Sequence, residues 1–488
     1  MTAAHSGPIV EEDADAKQLA QLGYQQKLTR SVGLWSNFAV GFTYLSPVVG
    51  VYSLFAYGLA TGGPAMIWTI PIVLAGQFLV ALVFAEVASE FPLAGGIYQW
   101  SKRLAGSSYA WLAGWTYTWA LLITVASVAF SANLYAAPLF GYQISTANTI
   151  VVALVIICLG GLVNLLGIRR LAIVANLGVI AEISLSVVLA IILLLKDRHH
   201  GLGVLTHTEG AGSGNYLGAF LAAALFSVWI FYGFEACGDI AEEVIDPSRK
   251  VPRAMRYTLY IGGAVSVLIT IALILATPDF GKVISGADAD PISGILTTAL
   301  GSVGSKVALA FILFAYTSCA LAIQAAAIRL VYAYARDGMI IGAKPLSKVH
   351  PKLHMPPGAV AIAVLIPAFI VFMPSATVAK IITFAVVGIY LGFQSVVLAA
   401  LWARRRGWRP GGKFTLGRWG WTVNALALVY GIAAIVVLSV KSPATGPGFF
   451  DRWLVPVTAV VVVVLGLVYM LIFRPKESIS ASDRPVGF

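Results

Sequence analysis

Apolar stretches of about 20 residues recur along the whole length of this chain, and each is long enough, at about 1.5 Å of rise per residue, to cross a hydrocarbon layer of roughly 30 Å. A chain patterned this way has lipid as its principal solvent. Composition agrees, since 59% of the 488 residues are hydrophobic and 11% are charged, against about a quarter charged in soluble domains. Every backbone N–H and C=O in lipid must be answered internally, so stretches of this length read as helices. Hydropathy and helix breakers place about twelve of them, at 36–59, 64–91, 109–139, 147–167, 171–195, 216–236, 255–277, 306–336, 358–373, 377–403, 421–440 and 453–473. The expected fold class is an all-α polytopic membrane protein.

The net charge of +11 does not point to nucleic acid, because the basic residues sit in short loops and form no patch interleaved with aromatics. Their placement sets an orientation instead. With both termini cytoplasmic, the segments on that side hold 25 of the 32 lysines and arginines, the bias expected of cytoplasmic loops. An even number of helices in a cytoplasmic membrane follows. Residues 1–35 hold Glu11, Glu12, Asp13 and Asp15 and no basic stretch leading into a short apolar core, so a retained cytoplasmic tail is expected there, with a second tail over 474–488.

Catalytic and metal chemistry find no foothold. Cys158, Cys237 and Cys319 are odd in number, far apart and inside apolar segments, which fits neither a disulfide framework nor a metal site. The six histidines lie in tails or loops. No Gly-x-x-x-x-Gly-Lys-[Ser/Thr] stretch is present to bind ATP. No cofactor is expected, and nothing in the sequence speaks to an oligomeric state.

Two helices break the rule of continuity. The first contains Ser46-Pro47-Val48-Val49-Gly50 at mid-depth, where proline removes a backbone donor and glycine weakens the turn. The sixth contains Tyr232-Gly233-Phe234-Glu235, again part-way across. If 36–195 and 216–403 are two five-helix halves of inverted topology, with 421–473 an accessory pair, the breaks occupy corresponding places. Matched interruptions of this kind point to a binding site near the bilayer midplane. Half-helix N-termini offer N–H groups to an anion and half-helix C-termini offer carbonyls to an ammonium, so a zwitterion or amine is the natural guest. A proline kink and a packing glycine are the plainer alternative.

Three stretches carry a family resemblance. Glu86-Val87-Ala88-Ser89-Glu90-Phe91-Pro92-Leu93-Ala94-Gly95-Gly96-Ile97-Tyr98, Phe231 to Glu235 with Glu242 to Arg249 behind it, and Arg329 to Gly338 together resemble the amino acid-polyamine-organocation permease superfamily. The run from Ser46 to Ser53 resembles its amino acid/choline branch, which includes 4-aminobutyrate and choline permeases. The resemblance implies a LeuT-like five-plus-five inverted repeat with discontinuous helices 1 and 6, two extra helices, and transport by alternating access. It implies import of an amino acid or related amine such as 4-aminobutyrate, with a proton or sodium as coupling ion. A choline or polyamine carrier, an exchanger, and a transport-derived sensor or channel stay open as alternatives. Many relatives carry Gly-x-Gly at the first break, where this chain has Val48; a β-branched side chain there narrows the approach to the backbone and favours an amine whose carboxylate lies elsewhere or is absent.

The resemblance and the breaks together nominate a site. Ser46, Val48, Val49, Gly50, Phe231, Tyr232 and Gly233 would surround the solute. Trp229, where the family often places a closing aromatic, would add a cation-π contact of about 0.5–2 kcal/mol; a core or lipid-facing tryptophan is the alternative. Glu235 is expected to hold the unwound turn through backbone N–H groups rather than face the amine. Glu182 sits in the middle third of the fifth helix, where an acid costs about 2.5–3.5 kcal/mol, and is assigned to coupling, with a protonated acid bonded to a neighbouring helix as the structural alternative. Thr317 and Ser318 are weaker coupling candidates, because such hydroxyls commonly bond their own helix. Glu86, Asp239, Arg329, Arg336 and Asp337, with Glu242 and Glu243, are expected to form cytoplasmic gate ion pairs. The block from Arg404 to Arg418 either fixes topology or meets anionic lipid.

Overall fold

The computed structural model describes residues 8–373, 375–441 and 448–473. In chain order its helices are α1 (Pro8–Gln21), α2 (Leu34–Leu45), α3 (Pro47–Gly62), α4 (Thr69–Glu90), α5 (Gly96–Ala105), α6 (Ser107–Ser131), α7 (Asn133–Phe140), α8 (Thr146–Leu165), α9 (Ile168–Lys196), α10 (Tyr216–Ile230), α11 (Ala236–Asp239), α12 (Pro247–Ala276), α13 (Phe280–Ile284), α14 (Pro291–Arg336), α15 (Ala343–Leu346), α16 (Pro357–Val371), α17 (Ser375–Arg405), α18 (Gly420–Lys441), α19 (Phe449–Arg452) and α20 (Leu454–Phe473). Among the described residues, ten helical spans are long and apolar enough to cross a membrane, and α10 and α16 are shorter apolar helices. The protein is an all-helical, multi-pass membrane protein. Its tail over 474–488, with Arg474, Lys476 and Arg484, lies outside the described residues.

The first long helix stops at Ser46, which takes a left-handed φ of 39° and caps α3 by accepting the Val49 N–H on its hydroxyl. Pro47 follows at the first helical position, where its missing N–H strands no acceptor. The sixth is interrupted over residues 231–235, between α10 and the single turn of α11. Gly233 there holds φ +107°, a conformation closed to residues with a Cβ.

The two interrupted segments pack together at the centre. α3 lies along α10, α11 lies against α2, and α9, α12 and α14 all pack on α2. α6 and α8 complete the wall through α14 and α17 through α6, while α18 packs outside α17 and α4, and α20 outside α17 and α6. The exposed faces of α8, α9, α18 and α20 carry leucine, valine and isoleucine, as lipid contact requires.

Several boundaries differ from the sequence expectation. α12 begins at Pro247, eight positions before 255, because its polar first turns carry no hydropathy signal although Pro247 occupies the first helical position. α14 begins at Pro291 and runs through a kink at Gly301 (φ 68°) into the stretch expected from 306. α5, an amphipathic helix of ten residues, occupies the connection between the expected spans 64–91 and 109–139. The N-terminal tail is also structured: α1 and residues 22–32 pack on one end of the bundle, where Val32 bridges Val244 and the Arg30 guanidinium donates to the Val244 carbonyl at 2.7 Å. That end, which also carries α5, Arg249 to Arg256 and Arg404 to Arg418, is called the basic end below.

Candidate solute-binding site

The α3 break brings together residues far apart in sequence. Glu182 projects from α9, one turn beyond Gly178. A Cβ on Gly178 would lie 2.7 Å from Thr43 Cγ2 and 3.0 Å from Ser318 Oγ, so glycine is what lets α9 approach α2 and α14. Glu182 is 1% exposed, and its Oε2 accepts the Ser46 hydroxyl at 2.7 Å. The carboxylate also faces the Val48 N–H. An acid that is expensive to bury in this environment therefore meets the positive end of a half-helix.

Glu235 occupies the corresponding place at the second break. Its Oε2 accepts the Gly233 N–H at 2.7 Å and its Oε1 accepts the Tyr117 hydroxyl at 2.9 Å. Gly233 is pressed so closely on α2 that an added Cβ would sit 2.5 Å from the Leu45 nitrogen. The Phe231 carbonyl is held by the Gln77 side-chain amide at 2.7 Å, which fixes the start of the unwound turn to α4.

Aromatic rings stand beside these breaks. Tyr232 makes edge contacts at 5.9 Å with both Tyr44 and Trp229. Trp229 is a core residue here, at 8% exposure. Val48, Val49 and Phe231 are buried with it, and Gly50 lies against α10, where a Cβ would meet Ile230 at 3.0 Å. On the side of the breaks away from the basic end, Ser53 and Tyr316 share a hydrogen bond of 2.7 Å and the Tyr135 hydroxyl donates to the Tyr52 carbonyl at 2.9 Å.

The two hydroxyl candidates on α14 behave as ordinary helical side chains. Thr317 donates to the Leu313 carbonyl at 2.9 Å and Ser318 to that of Ala315 at 3.1 Å. Ser318 stands near Gly178, whereas Thr317 is partly exposed.

Ion pairs close the basic end. Arg329 forks onto Glu243 at 2.8 and 3.0 Å, and Arg336 onto Glu242 at 2.9 and 3.0 Å. Lys102 meets Asp337 at 2.9 Å. Two residues assigned to this gate sit differently. Glu86 pairs with Arg404 and accepts the Leu416 N–H at 2.7 Å, so it clamps the loop after α17 to α4. Asp239 is fully buried under Gly96, and neither of its oxygens has a hydrogen-bond partner among the described residues. Of the basic block, Lys413 is tied to Asp246 at 2.9 Å, so part of it fastens this loop to the bundle.

Residues outside the sequence reading complete the closure. Tyr24, from the supposed tail, lays its ring under the Arg336 guanidinium at 3.9 Å and donates its hydroxyl to Asp337 at 3.1 Å. In the sequence Lys102 is one of the loop lysines that set the charge bias, and no local signal marks Tyr24 or Tyr117. Replacing Tyr24 with Ala removes a cation-π contact of about 1–2 kcal/mol and favours the open basic end roughly tenfold. In a background with Cys158→Ser and Cys319→Ser, labelling of buried Cys237 by a water-soluble maleimide is the measurement. An unchanged labelling rate would mean that Tyr24 only decorates the closed gate.

Comparison with known proteins follows this geometry. The family model described as "Amino acid permease" matches residues 32–465. The chain belongs to the amino acid permease family. The permease is 25% identical over 466 residues to "Amino-acid permease BAT1" of Arabidopsis thaliana, covering 88% of each chain. It is 28% identical over 472 residues to the BAT1 homolog of Oryza sativa subsp. japonica, covering 87% of each. A "Putative polyamine transporter" of Candida albicans is 26% identical over 452 residues, with 86% of the permease and 80% of that protein covered. Among solved structures, the manganese transporter of Eremococcus coleocola in complex with an aromatic bis-isothiourea substituted compound superposes with a TM-score of 0.56 at 14% identity, covering 96% of both chains. That likeness bears on the fold alone, a helical bundle in which the first and sixth helices are interrupted here.

Proposed function

We propose that the permease imports a small amine-bearing solute, an amino acid or a related amine such as 4-aminobutyrate, across the cytoplasmic membrane by alternating access at the two helix breaks. The basic end faces the cytoplasm, as the lysine and arginine bias requires. The Arg329–Glu243 and Arg336–Glu242 pairs are the inner gate, and the Tyr52, Tyr135 and Tyr316 cluster closes the outer side. Uptake is driven by a co-transported cation, which we take to be a proton carried on Glu182.

The observation that carries this reading is the Glu182–Ser46 hydrogen bond at the start of α3. Both the hydroxyl proton of Ser46 and one of its lone pairs are engaged, the first by Glu182 and the second by Val49. A proton arriving on Glu182 changes that bond and weakens the hold of α9 on the start of α3. An ionisable side chain buried at membrane depth is by default a functional group, and this one touches the hinge of a broken helix.

Purified permease in proteoliposomes, offered amino acids, 4-aminobutyrate, choline and polyamines with proton and sodium gradients imposed separately, is the direct test. Saturable uptake driven by the proton gradient is expected. Glu182→Gln keeps an oxygen to accept the Ser46 hydroxyl but carries no exchangeable charge, so it should lose gradient-driven accumulation and retain counterflow exchange. Normal accumulation by that variant removes Glu182 from coupling; accumulation driven by sodium alone replaces the proton with sodium. Flux without saturation or counterflow would make the protein a channel.

A further inference from the structure

Helix N-termini present N–H groups and a positive end, and helix C-termini present carbonyls and a negative one. Both half-helices that begin at mid-depth already have an acid in place. At α3, Pro47 has no N–H, the Val48 N–H faces Glu182, the Val49 N–H is taken by Ser46 Oγ at 3.1 Å, and the Gly50 N–H by the Ser46 carbonyl at 2.8 Å. Glu182 is 1% exposed, and its Oε1 has no hydrogen-bond partner among the described residues although Oε2 is engaged. At α11, Glu235 takes the Gly233 N–H. Of the first-turn donors of α3 only the Val48 N–H is not taken by Ser46, Glu182 already stands against it, and the buried Val48 side chain narrows approach to the backbone there.

The opposite ends of the broken helices are not neutralised in this way. In a continuous helix the Gly233 N–H would return to the Trp229 carbonyl, four residues back, but it is diverted to Glu235. The Tyr44 carbonyl, near the end of α2, accepts the weak S–H donor of Cys319 at 3.3 Å. Beside these carbonyls stand the rings of Trp229, Tyr232 and Tyr44. The groups that meet Glu182 and Glu235 are hydroxyls and backbone N–H groups, so the region as a whole is short of positive charge.

We propose that Glu182 stands where the carboxylate of an α-amino acid would otherwise dock, so that the permease selects amines lacking an α-carboxylate: alkylamines, diamines and polyamines, or quaternary ammonium ions. The proposal rests on the breaks being the solute site. The cation is held by helix-end carbonyls and aromatic faces, contacts that every ammonium can make and that have no use for a carboxylate. An ω-amino acid, with its carboxylate several bonds from its ammonium, is compatible with this arrangement. Selectivity and coupling are then separable at one residue, because glutamine fills the same space as glutamate and alanine does not.

The test is counterflow exchange in proteoliposomes of labelled 1,4-diaminobutane and of labelled alanine, each challenged with the other, a readout that does not need gradient-driven accumulation. Wild type should prefer 1,4-diaminobutane over alanine by about tenfold or more. Glu182→Gln should keep that order. Glu182→Ala, and more strongly Glu182→Ala with Val48→Gly, should narrow or reverse it by exposing the α3 N–H groups. Preference of the wild type for alanine overturns the proposal, as does an unchanged order in folded Glu182→Ala. If the alanine variant does not fold, the wild-type order and the glutamine variant still decide. Failure of every solute to be carried sinks the carrier reading, and this inference with it, whereas carriage of alanine in preference to amines sinks this inference alone.

Discussion

Gly233→Leu abolishes transport while leaving the protein folded in the membrane. Gly233 holds φ +107°, and an added Cβ would lie 2.5 Å from the Leu45 nitrogen and 2.9 Å from the Tyr44 carbonyl carbon. Those neighbours are backbone atoms of α2, not the end of a pliant side chain. Two costs combine: strain of about 1–3 kcal/mol for a substituted residue in this region, and displacement of the unwound turn from the end of α2. Displacement also breaks the Gly233 N–H bond to Glu235, which leaves a buried carboxylate under-satisfied. Losses of about 3 kcal/mol or more correspond to about a hundredfold or greater loss of uptake. Uptake kinetics, together with elution as a single peak in detergent, are the measurement. Gly50→Ala is the contrast, since Gly50 is not among the positive-φ glycines and its Cβ would meet Ile230 at 3.0 Å from the side chain and 3.1 Å from the Cα, a contact that a shift of a few tenths of an ångström between α3 and α10 relieves; a milder loss is expected. If Gly233→Leu transports with unaltered affinity, the interruption is a kink with no solute at it.

Much of this arrangement was legible because lipid is a demanding solvent. Proline and glycine at mid-depth are readable as breaks, since backbone groups freed there have no water to turn to. The placing of Glu182 in the fifth helix was readable from depth alone. Its rotation about the helix axis was not, and the Ser46 bond that gives the residue its meaning joins positions 136 apart. Hydropathy also fails wherever a helix leaves the hydrocarbon. The first turns of α12 and the outer turns of α14 are polar, yet Pro247 and Pro291 at first helical positions mark both starts. α5 shows no spanning signal because it lies among charged and aromatic partners, its Trp100 indole donating to the Phe91 carbonyl at 3.0 Å. The gate was readable as a set of charges near one end but not as pairs: Glu242 and Glu243 take Arg336 and Arg329, while Asp239, one turn from Glu235, takes neither.

The second large effect is expected at the innermost of those pairs. Arg329 and Glu243 are 2% and 1% exposed and share a two-point fork. Arg329 also donates to the Ala325 carbonyl at 3.2 Å, which holds the guanidinium in place whether or not its acid is charged. Removing one charge from such a pair costs about 3–5 kcal/mol, most of it the burial of the partner left behind, whereas replacing both with apolar residues is often neutral. Glu243→Gln is therefore expected to lower the Tm by about 5 °C or more, and Glu243→Leu with Arg329→Met to recover most of that loss. Stability alone does not separate a gate from a girder, but accessibility does. In a gate, the cost falls on the closed state only, because an opened basic end lets water reach Arg329. Glu243→Gln would then raise maleimide labelling of Cys237 while the protein stays folded, and solute loaded into vesicles would exchange faster from that side. In a girder, the variant loses Tm with no gain in labelling below the unfolding transition. The apolar double variant sharpens the contrast, since a pair that serves only packing can be replaced without loss of flux, whereas a pair that must open to water cannot be exchanged for leucine and methionine without holding the basic end shut.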